Sequence, residues 1–389
     1  MTRRIDTEVA IIGGGIVGGS AALFLRRAGV PVVLLEADLC GARASGVNYG
    51  GVRRQGRGLE QMPLARRAHE LWGQLPSLIG IDGEYVRSGH LKLAASNADM
   101  VQLEAYRQRT RGFGMHLQML DRRELARRFG WLGQDVAGGS FCPEDGHANP
   151  RLVSPAFARA AAALGADVRE GVKVTQADHD GTHFIVRADG LEVRSRVLLN
   201  CAGAWAGRFA EHFGEAVPET SIHPLMMVTE PLPLFMDVSL GIQGGGIYAR
   251  QVARGNCVIG GGRGVSTDPD YARPGRAGLG ALMANATRLL PVLRGAQVIR
   301  FWTGVEGNMP DHNPVLGPSA RVPGLFHAFG LSGAGFQIGP AVGEVLSELV
   351  LRGQSSIPID AFCIERYAAA AHGAVARPER VREQTQESP

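Results

Sequence analysis

The sequence has little lysine, and its basic residues form no dense run. Of 41 basic residues only Lys92 and Lys173 are lysines, the rest being arginines, and the net charge is +4. Sites for nucleic acid concentrate positive charge on one face or along one helix. We therefore expect no nucleic-acid partner, while a mildly positive surface still suits an anionic small molecule.

Cysteine is also scarce. Five cysteines make an odd number, are widely spaced and form no CxxC pair, so neither a disulfide framework nor a metal site is expected. A reducing compartment, the cytoplasm, fits this usage best. The cysteines are Cys40, Cys142, Cys201, Cys257 and Cys363.

Long apolar runs are nearly absent. Residues 9–25 are uncharged but hold five glycines and are followed by Arg26 and Arg27. The run is too short and too rich in glycine for a membrane span, and it lacks a clear signal-peptide cleavage site. We expect no membrane span.

The same run fits a strand, a turn and a helix. Residues 7–12 are β-branched and apolar, and they precede Gly13-x-Gly15-x-x-Gly18. One glycine makes the tight turn, one lets the backbone approach a pyrophosphate, and one lets the helix pack closely. The N-terminus of the helix, with Ile16 and Val17 in its first turn, then faces the phosphate charge.

Glu36 completes this pattern. It ends the next apolar strand, eighteen residues after Gly18. An acid at this place can accept hydrogen bonds from an adenosine ribose. The sequence therefore predicts a dinucleotide site, and Glu36 alone does not separate FAD from NAD.

The remaining elements favour an α/β fold in separated segments. Residues 98–129 are polar and typical of a helix, residues 221–262 are rich in β-formers, and a strand, a glycine-rich turn and a helix follow Gly324. This order predicts a discontinuous Rossmann-like domain with an inserted, antiparallel β-rich substrate domain. The predicted ranges are 1–83, 140–218 and 300–375 for the first domain, 84–139 and 219–299 for the second, and 376–389 for a flexible tail.

Several segments, taken in order, carry a family resemblance. The chain resembles the D-amino-acid-oxidase-like FAD-dependent oxidoreductases, particularly the glycine oxidase and sarcosine oxidase branch. The segments are IIGGGIVGGSAALFLRRAG, ASG at residue 44, GHLKLA at 89, DGHANPRLV at 145, VLLNCAGAWAG at 197, RFWTGVEGNMPDHNPVLG at 300 and FGLSGAGFQIGPAVGEVLSEL at 329.

The resemblance implies FAD, bound with its adenine end on the first βαβ unit. It implies backbone amides of residues 333–337 at the flavin ring, where amide dipoles suit the negative charge of a reduced flavin. With these five, the residues that the resemblance implies along the cofactor are Ala44, Ser45, Gly46, Val172, Ala202, Gly203, Trp205, Gly304, Gly333, Ala334, Gly335, Phe336 and Gln337.

Two further features concern the chemistry of the cofactor. Some relatives attach FAD through a cysteine near the PDHNPVLG segment, and residues 303–310 contain none, so we expect non-covalent FAD. Some relatives use a lysine near the flavin for reaction with oxygen, and the matching segment NCVIGGG has none. Oxygen and an electron carrier both remain open as the acceptor.

The chain departs from its relatives where the substrate carboxylate binds. An arginine of glycine oxidases is replaced by Glu306, which suits a substrate ammonium group or, alternatively, an ion pair with a local arginine. The candidate replacements are Arg53, in a cluster with Arg54 and Arg57, and the pair Tyr248 and Arg250. Arginine suits this role because its planar fork matches a carboxylate.

These features predict an enzyme that oxidises the C–N bond of a small amine or amino acid, primary or N-substituted, giving an imine that hydrolyses. Hydride transfer to flavin N5 needs little from side chains beyond positioning. Two alternatives remain: a 2-hydroxy-acid dehydrogenase of the same fold, and a flavin-binding subunit of a larger dehydrogenase complex.

Overall fold

The fold is that of a computed structural model, which describes residues 2–368. The predicted flexible tail, 376–389, lies outside these residues. The strands in chain order are β1 (Arg3–Ile12), β2 (Val32–Leu35), β3 (Gly51–Val52), β4 (His90–Ala94), β5 (Gln118–Asp121), β6 (Gly138–Cys142), β7 (Gly146–His147), β8 (Asp167–Arg169), β9 (Val174–His179), β10 (Phe184–Ala188), β11 (Leu191–Asn200), β12 (Thr220–Ile222), β13 (Pro224–Pro231), β14 (Ser239–Ile242), β15 (Tyr248–Gln251), β16 (Asn256–Arg263), β17 (Val265–Asp268), β18 (Tyr271–Arg273), β19 (Val298–Thr303), β20 (Glu306–Asn308), β21 (Val315–Pro318) and β22 (Leu325–Phe329).

The helices follow the expected local signals. Asn149 caps one helix with its side chain on the N–H of Arg151 and Pro150 at the first position, and Gly165, at φ +89°, ends it. The α-helices are α1 (Ile16–Arg27), α2 (Ala44–Val47), α3 (Met62–Trp72), α4 (Leu75–Ile79), α5 (Asn97–Arg109), α6 (Arg122–Arg128), α7 (Pro150–Ala163), α8 (Ala206–His212), α9 (Arg276–Leu289) and α10 (Gly335–Arg352).

A first sheet of eight strands carries the predicted dinucleotide motif. Its order is β21-β22-β11-β1-β2-β8, and β10 and β9 extend it from β11. The strands β22, β11, β1, β2 and β8 are parallel to one another. Helices α1, α7 and α10 pack together beside it, and the strands come from separate stretches of the chain. The predicted α/β fold is confirmed, whereas the domain boundaries stay a prediction.

A second sheet of eight strands supplies the opposite wall of the site. Its order is β19-β13-β16-β15-β14-β4-β6-β5, and its pairs are antiparallel except for β14 with β4. One face packs on α9 and a core that includes Leu91, Leu93, Leu240 and Ala249. The other face is turned towards the first sheet.

Residues 98–129 differ from the expected helix. The helix α5 ends at Arg109, strand β5 follows, and α6 begins at Arg122. Gly114, at φ +66°, allows the chain to turn between them, and Asp121 starts α6 with a capping box to Glu124. A polar composition concealed a short strand that pairs with β6.

Candidate active site

The glycine turn after β1 needs glycine for reasons of space. Gly13 has φ +103°, and a Cβ added there would overlap the carbonyl oxygen of Cys201. A Cβ added at Gly18 would overlap the carbonyl oxygen of Gly13. The turn and the close packing of α1 on β1 therefore depend on these glycines, as the motif predicts.

Ser45 supplies the cap that the first helix lacks in its own sequence. Gly15 is the N-cap of α1 and has no side chain, and the Ser45 hydroxyl accepts a hydrogen bond of 3.0 Å from the N–H of Ile16. Ser154 in turn holds the backbone oxygen of Ser45 at 2.7 Å. The hydroxyl of Ser45 is thus held at the N-terminus of α1, the end of the helix where the motif places the phosphates.

Glu36 lies at the other side of the glycine turn. Its carboxylate accepts hydrogen bonds from the N–H of Gly14 at 2.6 Å and of Asp38 at 2.8 Å. Burial raises the pKa of Glu36, against the lowering effect of these two bonds. A carboxylate has about four acceptor positions, so two N–H donors leave room for ribose hydroxyls.

A cavity of about 1110 Å³ runs from this turn to the face of the second sheet. It exceeds the roughly 300–1,000 Å³ of ordinary small-ligand sites, and an elongated dinucleotide with a substrate beside it fits such a volume. The sequence-predicted residues on its wall are Gly13, Gly15, Ile16, Val17, Glu36, Ala44, Ser45, Arg53, Val172, Ala202, Gly203, Trp205, Tyr248, Gly304, Glu306, Gly333, Gly335 and Phe336.

Five predicted residues lie off the cavity wall. Gly18 and Gly46 lie in helix packing, where an added Cβ would overlap a backbone oxygen. Ala334 is buried in the core that holds α1 and α10. Gln337 donates its side-chain amide to the oxygen of Ala65 at 2.9 Å. Arg250 is the fifth.

The second sheet presents one polar row to the cavity. Side chains alternate along a strand, so Leu91 and Leu93 enter the core while His90 and Lys92 face the cavity. Across the sheet, Lys92 pairs with Gly241, and Gly241 pairs with Tyr248. A glycine between two long side chains leaves the surface open there.

Tyr248 is held at this surface by its neighbours. Its ring meets Tyr49 edge-on at 5.0 Å, and its hydroxyl lies 3.5 Å from the sulfur of Met226. Burial, then the charge of Glu306, raises the pKa of Tyr248 to about 12. The hydroxyl therefore stays protonated at neutral pH and can donate to an anionic group.

Arg250 is not among the residues that line the cavity. It is 4% exposed, donates from Nε to the backbone oxygen of Tyr49 at 2.8 Å, and lies 5.8 Å from the Tyr49 ring. The side chains of Arg250 and Tyr248 lie on the same face of β15, yet only Tyr248 lines the cavity. The structure brings Arg53, Tyr248 and Glu306 together and separates Arg250 from them.

Glu306 has no cationic partner among residues 2–368. No arginine, lysine or histidine nitrogen of the described chain lies within 4.0 Å of its carboxylate, which instead accepts the backbone N–H of Gly333. Burial raises the pKa of Glu306. The alternative of a local ion pair is therefore not what the structure shows.

The glycine-rich turn before α10 keeps few free amides. The N–H of Gly333 goes to Glu306, that of Ala334 to Leu331 at 2.8 Å, and that of Gln337 to Ala334 at 3.1 Å. Of the backbone N–H groups of residues 333–337, those of Gly335 and Phe336, in the first turn of α10, remain available to a ligand.

Sequence reasoning missed two residues of the site. Lys92 and His90 line the cavity beside Arg53 and Arg57. A usable signal existed, since Lys92 is one of two lysines and alternates with leucines in HLKLA. The His90 Nδ1 lies 3.0 Å from the Gln55 side-chain oxygen, and burial, with the charges of Arg53 and Lys92, holds the pKa of His90 well below its usual value.

A dinucleotide turn that opens into a cavity lined by ionisable side chains defines a nucleotide-dependent oxidoreductase. The chain belongs to the family described as FAD dependent oxidoreductase (DAO), whose sequence profile matches residues 8–349. It is therefore an FAD-dependent oxidoreductase, and the glycine turn, Ser45 and Glu36 fit that cofactor.

Relatives of known name cover most of the chain. An opine oxidase subunit of Rhizobium meliloti is 29% identical over 82% of this chain and 87% of its own length. Glycine oxidase of Geobacillus kaustophilus is 27% identical over 94% of this chain and 98% of its own. The crystal structure of L-proline dehydrogenase from P. horikoshii has a TM-score of 0.87 at 24% identity, over 95% of this chain and 99% of that one, which shows the fold.

No helix of residues 2–368 is long and apolar enough to cross a membrane. The compartment stays a prediction.

Proposed function

We propose that this enzyme oxidises the C–N bond of a small amine or amino acid, primary or N-substituted, to an imine that hydrolyses to a carbonyl compound and an amine. The observation that carries the proposal is Glu306, a half-buried carboxylate on the cavity wall without a cationic partner in the described chain. A buried carboxylate is stabilised by an opposite charge. A substrate ammonium group supplies that charge.

The same residue argues against a hydroxy acid. A hydroxy acid carries no positive charge, so it would leave the carboxylate of Glu306 without an opposite charge, whereas an amine substrate supplies one. Like charges in a low-dielectric cavity repel strongly. The amine substrate is thus the better match to the wall.

FAD, when bound, supplies the two-electron acceptor that takes a hydride at N5. The chain's own residues position the substrate and exclude water. Glu306 holds the ammonium group, Tyr248 offers a protonated hydroxyl, and Arg53 faces the anionic end of the substrate. Such positioning reduces the entropy that the reaction must lose.

The cysteines support non-covalent FAD. All five lie within the described residues, and of these only Cys201 lines the cavity. Burial raises the pKa of Cys201 to about 12, so it is a thiol rather than a reactive thiolate at neutral pH. The predicted mode of attachment thus rests on both the missing cysteine at 303–310 and this buried thiol.

The relatives support an amino-acid or amine substrate, because their names are glycine oxidase and opine oxidase. They also favour a second candidate role. Two of them, from Rhizobium meliloti and Agrobacterium tumefaciens, are named as a subunit of opine oxidase, at 29% and 28% identity. Under that role the chain would bind FAD and substrate but turn over fully only with a partner chain.

An anaerobic titration tests the proposal. The purified holoenzyme is mixed with N-alkyl glycines, D- and L-amino acids, diamines and 2-hydroxy acids, and the flavin absorbance is followed. Bleaching by an amine class, with none by hydroxy acids, supports it. Bleaching by hydroxy acids alone overturns it, and bleaching that is never followed by steady turnover with oxygen or a dye acceptor supports the subunit role.

A further inference from the structure

The hairpin of β17 and β18 leaves the second sheet and reaches the part of the chain that builds the first. β17 follows β16 of the second sheet directly, and β18 leads into α9, which packs on that sheet. Within residues 2–368, β17 and β18 pair with each other and with no further strand. An isolated two-stranded hairpin is at best marginally stable in water. Its position therefore depends on the side chains that its tip contacts.

Asp270, at the tip of the hairpin, is held by three hydrogen bonds from outside it. Its carboxylate accepts one of 2.9 Å from Lys173 Nζ and one of 2.6 Å from Trp205 Nε1. Its backbone oxygen accepts a third, of 3.0 Å, from Arg43 Nη1. The bond from Lys173, then that from Trp205, lowers the pKa of Asp270, so the carboxylate is charged at neutral pH. Three segments that are separate in the sequence thus meet at one residue.

These segments surround the predicted ribose position. Lys173 follows Val172, whose N–H donates to the backbone oxygen of Glu36 at 2.8 Å. Arg43 Nε lies 3.1 Å from the carboxylate of Asp38, two residues after Glu36. The three side chains that hold the hairpin tip line the cavity, as the tip itself does. The hairpin therefore lies across the cavity at the end that suits the adenosine ribose.

Tyr271 adds a second contact and marks the outer side of the hairpin. The guanidinium carbon of Arg43 lies 5.1 Å from the centre of the Tyr271 ring and 5.8 Å from that of Trp205. A cation over an aromatic face is attracted to it. Tyr271 lines the cavity and is nevertheless 63% exposed. The hairpin tip is thus the boundary between this end of the cavity and solvent.

We propose that the hairpin of residues 265–273 is a strap over the bound FAD, and that Asp270 is the positioning residue that holds the strap closed. Opening of the strap admits and releases the cofactor, so the contacts of Asp270 slow both steps. Lids over a site commonly work through such opening motions. The inference concerns retention of the cofactor and goes beyond the proposed oxidation of amines.

The test measures release and uptake of FAD separately. Flavin fluorescence reports release after dilution of the holoenzyme, and uptake after FAD is mixed with the apoprotein. Asp270→Ala removes both side-chain hydrogen bonds and should accelerate both rates about fivefold, the upper range for a partly exposed ion pair. The ratio of the two rates, which is the Kd for FAD, should change little, because the lost contacts are within the chain. Loss of a direct contact with the cofactor would accelerate release alone.

Lys173 shows whether the ion pair itself closes the strap. The Lys173 side chain is 68% exposed, so Lys173→Gln leaves folding intact. Lys173→Gln and Asp270→Asn should each accelerate release about twofold to threefold, and the double variant no more than either. Effects that multiply in the double variant would overturn the role of the pair. Asp135→Asn removes the charge of an exposed aspartate away from the cavity wall and should leave both rates unchanged.

Two results with Asp270→Ala would overturn the strap. One is unchanged release and uptake. The other is faster release with unchanged uptake, because a barrier to passage acts in both directions. Neither measurement uses a substrate, so this inference fails or stands independently of the oxidation of amines.

Discussion

The hydroxyl of Ser45 accepts a hydrogen bond of 3.0 Å from the N–H of Ile16, the first residue of α1. This hydrogen bond joins two segments that are separate in the sequence. One is the glycine turn that suits a diphosphate, and the other is the ASG segment, which is predicted to lie near the flavin. The dinucleotide end of the cavity is therefore fixed by a tertiary contact as well as by its own turn.

Replacing Ser45 by alanine should weaken FAD binding and lower stability. The N–H of Ile16 loses its acceptor, and loss of a cap costs about 1 kcal/mol. We expect a Kd for FAD several-fold higher by fluorescence titration, with a lower Tm. Ser77→Ala, which changes an exposed serine on another helix, is the control. An unchanged Kd for FAD in Ser45→Ala would show that the cap does not support the cofactor.

Denaturation should release the flavin. Because FAD is expected to be non-covalent, precipitation of the yellow protein with acid should leave the flavin absorbance in the supernatant. A yellow pellet after washing would contradict this expectation and would direct attention to the cysteine side chains.

Glu306→Gln should separate substrate binding from folding. Glutamine keeps an oxygen for the N–H of Gly333 but removes the charge. A hydrogen bond to a charged group contributes about 1.5–3 kcal/mol, so kcat/KM for the amine should fall roughly 10- to 150-fold with unchanged FAD content. Glu219→Gln alters another half-buried carboxylate, which is not on the cavity wall, and should leave kcat/KM within about threefold.

Arg250 and Arg53 should behave differently. Arg250→Gln leaves the backbone oxygen of Tyr49 without its donor and should lower the free energy of unfolding by about 1–3 kcal/mol with little change in KM. Arg53→Gln should raise KM with little change in Tm. The opposite pattern, measured by thermal unfolding and steady-state kinetics, would return Arg250 to the substrate site.

Acid should destabilise the protein through His147. Burial lowers the pKa of His147 to about 3, below the value of about 6.5 in an unfolded chain. The unfolded state thus binds more protons between these values, so stability is complete above pH 6.5 and is lost as the pH falls. Urea unfolding at pH 7 and 4.5 should show His147→Gln losing about 2–3 kcal/mol less than the parent. An equal loss in both proteins would mean that other groups carry the acid sensitivity.

Local features of the fold were predictable from the sequence because local rules decide them. Glycine is the only residue that fits at Gly13, Asn149 and Pro150 start α7 as expected, and Glu36 directly follows β2. Each depends on a few neighbouring residues and on backbone sterics.

The rest depends on pairings between distant strands. Lys92 reaches the cavity because β4 pairs with β14, about 150 residues later, and this register also decides which way Tyr248 faces. Arg250 shares a strand face with Tyr248, and only the position of Tyr49 shows that it lies outside the wall. The register between two distant strands cannot be predicted from the local sequence of either strand alone.

Product analysis after stoichiometric anaerobic reduction tests the central claim most directly. The amine that bleaches the flavin is added in limiting amount, and the carbonyl compound and the released amine or ammonia are counted. C–N oxidation predicts one equivalent of each per flavin reduced. A carbonyl product without any released amine or ammonia would contradict it, because the bond that is oxidised would then not be C–N.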